Sequence, residues 1–342
     1  MSEELDALPG NAPDDPSAEA PQARPPAHAG PLDHPDPADP AEHPDLPPTE
    51  RRNPASLALD RLDTAELLAL INDQDATVPG VVRAALPQLA ELVEAGLRTL
   101  RAGGRVHYYG AGTGGRLALG DAVELGPTYG VGPEQVVAHL AGGPRTAARA
   151  RENAEDRPPD QDEPTPPTAG DLVIGITASG GTPYVVSALR AARAAGAVTA
   201  LLSGNPQAPA AAFADLHVLL DTGPEVVTGS TRMKAGTAQK LALNAFSTAL
   251  MVRSGRTWSN LMVTASAGNA KLRARAVRTL VTAARVTPEQ AVAALDAAAG
   301  ETVTALVALV GGATPEAARG ALRRAQGQPW AAVQELTGGG VR

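Results

Sequence analysis

The sequence predicts an α/β protein: a doubly wound, five-stranded parallel sheet with flanking helices, followed by a small C-terminal helical subdomain. Three observations predict it. Five short β-prone runs, RVHYY (105–109), QVVAHL (135–140), DLVIGI (171–176), AVTALLS (197–203) and LHVLL (216–220), are mostly separated by helical patterns. The first and third run into turns rich in glycine and hydroxyl side chains, and each turn opens a helix. Residues from about 285 onward are alanine-rich helical pieces interrupted by GGATPE and GQPW.

The chain begins differently. Residues 1–50 hold thirteen Pro, twelve Asp or Glu and one Arg. Such a segment buries too little apolar surface to offset its ordering entropy, so residues 1–48 read as a disordered, acidic, Pro-rich tail. The chain carries a net charge of −8; the first fifty residues contribute −11 and leave +3 for the remainder. A mildly basic body suits a small anionic ligand. The absence of a Lys/Arg stripe and an aromatic content of 2% argue against nucleic acid as a partner. No apolar run reaches the ~18 residues of a transmembrane helix, which argues against a membrane partner. The N-terminus shows no signal-peptide pattern. With no cysteine there is no disulfide or thiol chemistry.

The α/β domain is read over 49–284. PASLALDRLDTAELLALIND and VPGVVRAALPQLAELVEAGLRTLRAGG space their apolar residues three and four apart, and Gly103 and Gly104 stop the second. In TPYVVSALRAARAAG, Thr182 suits the cap, Pro183 the first helical position and Gly196 the position past the end. Residues 154–170 form a Pro-rich connection into the third strand. Residues 229–255 read as one long helix with Ser230 as cap and Gly255 as stop. The helical subdomain, two or three helices, covers 285–342. His107, His139 and His217 lie inside apolar β-like runs and read as structural, with no metal-ligand spacing among them.

YYGAGTGGRL (108–117) carries glycines at 110, 112 and 115, the G-x-G-x-x-G spacing of dinucleotide folds. That reading also needs an acid at the end of the second strand, to hold the ribose hydroxyls. Glu134 precedes the strand, and the residues after it, AGGPR, contain none. An internal echo is more informative: VHYYGAGTGGR and VIGITASGGTP are both strand, Gly/hydroxyl turn and helix start. In a doubly wound sheet both turns lie at the carboxyl edge, where helix N-termini offer free amides to an anion. Thr177, Ser179 and Thr182 add three hydroxyls within six residues. The pair suggests a phosphosugar site; the plain alternative is two tight βα turns.

GAGTGGRL…DAVELGPTYGV, AEDR, ITASGGTPYV, EVVTGSTRMKAGTAQKLALN and NLMV strongly resemble the N-acetylmuramic acid 6-phosphate etherase family, of the sugar isomerase (SIS) fold class. NPAS and LDRLDTAELLALINDQDATVP match upstream, so the resemblance covers roughly 49–340. It implies a cytoplasmic homodimer that needs no metal or other cofactor. It also implies cleavage of the D-lactyl ether of the phosphosugar, giving N-acetylglucosamine 6-phosphate and D-lactate. Elimination and rehydration at carbon 3 needs two positioned proton carriers and a phosphate anchor. The family's two catalytic carboxylates match Glu124, as proton donor, and Glu155. Alone, each reads as a surface acid, and Asp156 is adjacent to the second.

Substrate binding is expected at Thr177, Ser179, Gly180 and Thr182, with Thr113 and Gly114 shaping the neighbouring turn. Ser230, Thr231 and Lys234 are expected to complete the anion site. The chain departs from the family at Gly114, usually Ser, and at Gly181, usually Arg. Two other functions remain open: a non-catalytic sugar-phosphate-sensing regulatory protein, and an aldose–ketose phosphosugar isomerase. A continuous helix would carry Glu124 ten residues beyond Gly114, about 15 Å from the turn. Either the helix breaks near Gly120, or Glu124 serves a partner subunit's site; we favour the second.

Overall fold

The computed structural model describes residues 46–159, 165–264 and 270–339. The tail expected over 1–48 lies outside them, apart from Leu46, Pro47 and Pro48. A strap containing three short 3-10 turns, Pro48–Glu50, Pro54–Ser56 and Leu59–Arg61, leads into helices α1 (Thr64–Asp75), α2 (Val78–Ala84) and α3 (Leu86–Arg101). Asp63 caps α1 through a reciprocal capping box with Glu66.

The five expected runs are five parallel strands: β1 (Val106–Gly110), β2 (Val136–Leu140), β3 (Leu172–Thr177), β4 (Val198–Ser203) and β5 (Leu216–Leu219). Their spatial order is β2-β1-β3-β4-β5. Every residue of β1 and β3 is buried, as expected for central strands covered on both faces. One face presents Tyr108, Ile174, Ile176 and Leu202 to α3, α4 (Gly112–Tyr129) and α6 (Lys234–Arg253). The other presents Tyr109, Val173 and Leu201 to α5 (Pro183–Ala194).

This strand order reverses between β1 and β3, since the chain steps outward to β2 and returns to pair β3 with β1. At such a switch point the turns leave the carboxyl edge in opposite directions and open a crevice between them. Gly110 lies beside Ile176 in the register, so the turns after β1 and β3 are neighbours at that crevice.

After α6 comes a two-residue hairpin, β6 (Thr257–Trp258) with β7 (Leu261–Met262). The helical C-terminal region follows: α7 (Ala270–Ala284), α8 (Pro288–Ala297), α9 (Thr302–Gly311), α10 (Pro315–Arg324) and α11 (Pro329–Leu336). It is richer in helices than the sequence suggests, with four described after residue 285. Ala276 and Leu280 of α7 share a core with Leu295 and Leu306, so α7 packs with this region.

The long helix starts later than expected. Ser230 is not its cap; α6 begins at Lys234, and residues 229–233 form turns. The physical reason is Glu225. Its two carboxylate oxygens accept the amides of Lys234 and Ala235, each at 2.9 Å. The N-terminus is therefore satisfied by a carboxylate nine residues upstream, not by a neighbouring hydroxyl.

Candidate functional site

The turn after β3 is a compact hydroxyl cluster. Thr177 Oγ1 lies 2.7 Å from Thr182 Oγ1 and 3.4 Å from Ser179 Oγ. The Gly180 amide donates to Thr177 Oγ1 at 3.3 Å, and the Gly181 amide to Ser179 Oγ at 3.2 Å. If Thr177 gives its proton to Thr182, the protons of Thr182 and Ser179 remain free to donate outward. Thr182 occupies the N-cap position of α5, but its side chain makes no cap bond to the helix. Its hydroxyl belongs to the cluster instead. Gly180 is required at its place: φ is +74°, and an added β-carbon would sit 2.2 Å from Ala208 Cβ. Asn205 Nδ2 donates to Ser179 O at 2.9 Å and fixes the turn from the β4 side.

The other expected residues lie on three neighbouring segments: the start of α4, the turns before α6 and the stretch that precedes residue 160. Gly114, in the first turn of α4, lies against Ile176 near the end of β3. A β-carbon at Gly114 would lie 3.0 Å from Ile176 Cγ2, 3.1 Å from Gln239 Oε1 and 3.3 Å from Ile176 O. Thr113 meets the 229–233 turns: a β-carbon at Gly236 would be 3.1 Å from Thr113 Cγ2 and 3.2 Å from Thr231 O. Ser230 is half-buried in those turns, its carbonyl accepting from the Met233 amide. Glu155 is exposed, yet its backbone is anchored, with its carbonyl accepting the Tyr184 amide in the first turn of α5 at 2.9 Å. The structure therefore brings the segment bearing Glu155 to the rim of the hydroxyl turn.

Two expected residues stand apart from this group. Lys234 is 4% exposed, and its Nζ donates to Gln74 Oε1 of α1 at 3.1 Å. Burial lowers its pKa against the opposing pull of Glu225, Asp75 and Asp221. Burial likewise raises the Glu225 carboxyl, although two amides and Lys234 favour its charge. Because Glu225 already takes the α6 amides, the helix N-termini that remain for a small anion at the crevice are those of α4 and α5, neither of which carries a side-chain cap.

Glu124 is the second. It is exposed on α4, in an open groove of about 500 Å³ between α4 and α6 that Arg116, Asp121, Lys240 and Asn244 also line. Helix α4 runs unbroken through Gly120, so Glu124 lies about 15 Å along the axis from Gly114. Asp121 is a residue that sequence reasoning missed. It accepts from Tyr108 at 3.2 Å, Asn244 at 3.1 Å and Ser247 at 2.9 Å, and burial raises its pKa despite them. Its only sequence signal is a place three residues before Glu124, on the same helix face. Among the described residues, no group of three His, Asp or Glu is placed to hold a metal ion.

Two family models match the chain: the SIS domain over residues 161–249, and the glucokinase regulatory protein N-terminal SIS domain over residues 88–193. Curated relatives match most of it. The N-acetylmuramic acid 6-phosphate etherase of Thermobifida fusca is 53% identical over 264 residues, which is 77% of this chain and 87% of that protein. The etherase of Cutibacterium acnes is 48% identical, over 77% and 87%. That of Edwardsiella ictaluri is 46% identical, over 77% and 89%.

Proposed function

The chain belongs to the N-acetylmuramic acid 6-phosphate etherase family and is an enzyme, and on that premise we propose that it cleaves the D-lactyl ether of N-acetylmuramic acid 6-phosphate. The products are N-acetylglucosamine 6-phosphate and D-lactate, and the setting is the recycling of cell-wall sugars in the cytoplasm. The observation that carries this reading is the 53% identity to an etherase across 77% of the chain.

The chemistry follows from the open-chain sugar. Its aldehyde acidifies the hydrogen on carbon 2. A base removes that proton, the bond from carbon 3 to oxygen breaks, and the departing lactate oxygen takes a proton from an acid. The resulting carbon 2–carbon 3 double bond is conjugated with the aldehyde. Water then adds its oxygen to carbon 3 and a proton returns to carbon 2. Glu124 is the acid that protonates the leaving oxygen, and Glu155 is the second proton carrier. Ser179 and Thr182 donate to the phosphate at the N-terminus of α5, with the Thr177 and Gly180 frame behind them. Thr113 and Gly114 shape the adjoining wall, and Ser230 and Thr231 close the opposite side. Lys234 acts from within, by holding the start of α6. The unbroken path of α4 through Gly120 supports assigning Glu124 to the site of a second subunit in a homodimer.

The test is product analysis. Incubation with N-acetylmuramic acid 6-phosphate releases D-lactate. In heavy-oxygen water the label enters carbon 3 of the amino sugar. Label in the lactate overturns the elimination route, and conversion of a 2-hydroxy aldose phosphate to its ketose, with no lactate released from N-acetylmuramic acid 6-phosphate, supports the isomerase reading.

A further inference from the structure

The strap before α1 is tied to the loop that carries Ser230 and Thr231. Thr49 is 1% exposed, and its carbonyl accepts the Gly229 amide at 2.9 Å. Glu50 packs over the same glycine: a β-carbon at Gly229 would sit 3.2 Å from Glu50 Oε2. Asn53 is 6% exposed and uses its whole amide. Nδ2 donates to Gln74 Oε1 at 2.8 Å and to Pro224 O at 3.3 Å, and Oδ1 accepts the Ala55 amide at 3.0 Å. Gln74 Oε1 is the same atom that receives Lys234 Nζ. One side chain thus joins three parts of the molecule: the strap, α1 with the first residue of α6, and the start of the 224–231 segment.

The strap holds the 224–231 segment at two points, Pro224 through Asn53 and Gly229 through Thr49, and its start is also tied at Glu225. Ser230 and Thr231 follow immediately, and Thr231 O reaches the Thr113 side of the crevice. A buried amide whose two donors and one acceptor are all spent on fixing separate segments defines where they sit relative to each other.

We propose that Asn53 is a positioning residue for the substrate: through Pro224 and through Gln74 with Lys234 it sets the place of Ser230 and Thr231 at the crevice. The inference rests on the proposed role of those two residues in substrate binding. It makes the strap a component of the binding site, although no strap residue belongs to the hydroxyl cluster.

Asn53→Asp is the informative variant. It keeps the acceptor for the Ala55 amide and removes both donors, so the local turn keeps its cap while the tie to Pro224 and Gln74 is lost. KM for N-acetylmuramic acid 6-phosphate rises about tenfold or more with kcat held within about threefold, while the melting temperature falls, because the new carboxylate is buried against the acceptors Gln74 Oε1 and Pro224 O. Gln74→Leu shifts KM in the same direction, and the double variant is no worse than the stronger single one, because both act on one network. An unchanged KM in Asn53→Asp overturns the proposal. So does an equal fall in kcat and kcat/KM, or additive effects in the double variant. Ser230→Ala and Thr231→Ala separate the two layers. If neither raises KM, the substrate-binding reading fails; if they do while Asn53→Asp does not, only the role of Asn53 fails.

Discussion

His107 sits at the amino-terminal side of the sheet in a buried column of rings. It is fully buried, its Nδ1 lies 3.0 Å from His139 Nε2, and its Nε2 lies 3.6 Å from Asp171 Oδ2. His139 in turn stacks on Tyr109, centroids 4.1 Å apart. Burial is the main cause that lowers the His107 pKa from 6.5 to about 4; His139 and Arg105 reinforce it and Asp171 opposes it. A histidine that resists protonation when folded and accepts it when unfolded favours unfolding in acid. Its contribution is fully present above pH 6.5, declines as pH falls, and is gone below about 4. The shift corresponds to an upper figure of about 3 kcal/mol. Urea midpoints measured from pH 7.5 to 4.5 fall through this window, and His107→Val shallows the slope while lowering stability at pH 7. An unaltered slope in that variant means that another group governs the acid limb. The sequence marks these histidines as structural, because they interrupt apolar strands. Their pairing was not legible, since it depends on the register that sets Tyr109 beside His139 and His107 beside Val137.

At the scale of elements, the glycines at 110 and 115 have a mechanical explanation in close packing, and Gly112, with open space around it, in a φ of +53°. A β-carbon at Gly115 would lie 2.4 Å from Gly110 O and 2.5 Å from Leu140 Cδ1. Two glycines five residues apart let the start of α4 lie directly on β1, and the spacing serves that contact without a dinucleotide. Gly115→Ala therefore destabilises by about 2–3 kcal/mol, because backbone and not a flexible side chain must give way. The melting temperature drops by roughly 5 °C or more. Gly80 is the control: it is exposed in α2 with open space around it, so Gly80→Ala gains about 0.5–1 kcal/mol. A Gly115→Ala protein that melts with the parent contradicts the close-packing account. The start of α6 is the converse case. Hydroxyls in GSTRMK resemble a cap in sequence, but the amides are met by Glu225, in a stretch with no periodic pattern to announce it. The strand segments, hydroxyl turns and the helix stop at Gly103 follow local rules and can be read from sequence, whereas the order of the strands in the sheet is set by tertiary pairing. A carboxylate capping from nine residues away, or an asparagine tying a strap to a distant loop, depends on tertiary placement and cannot.

At the scale of the molecule, the two proposed carboxylates lie in different surroundings. Glu155 belongs to the segment anchored on α5, beside the hydroxyl turn. Glu124 faces the groove between α4 and α6, where its neighbour Val123 is 61% exposed and Leu117 and Leu119 add apolar wall. An acid set among apolar groups on an open face suits burial by a second copy, which gains apolar contact and receives the acid for its own site. Mixing two inactive variants tests this directly. Glu124→Ala removes the acid, and Ser179→Asp sets a negative charge against the phosphate. When refolded together at equal amounts, half of the dimers pair one of each. If each site takes Glu124 from one subunit and Ser179 from the other, every such dimer has one site with both defects and one with none. Activity then recovers to about a quarter of the unmodified protein's, from a starting point near zero for either variant alone. If both residues act within one chain, every site keeps one defect, and the mixture stays as inactive as its components. That result would return Glu124 to its own subunit and require α4 to bend before a hexose phosphate could reach both residues.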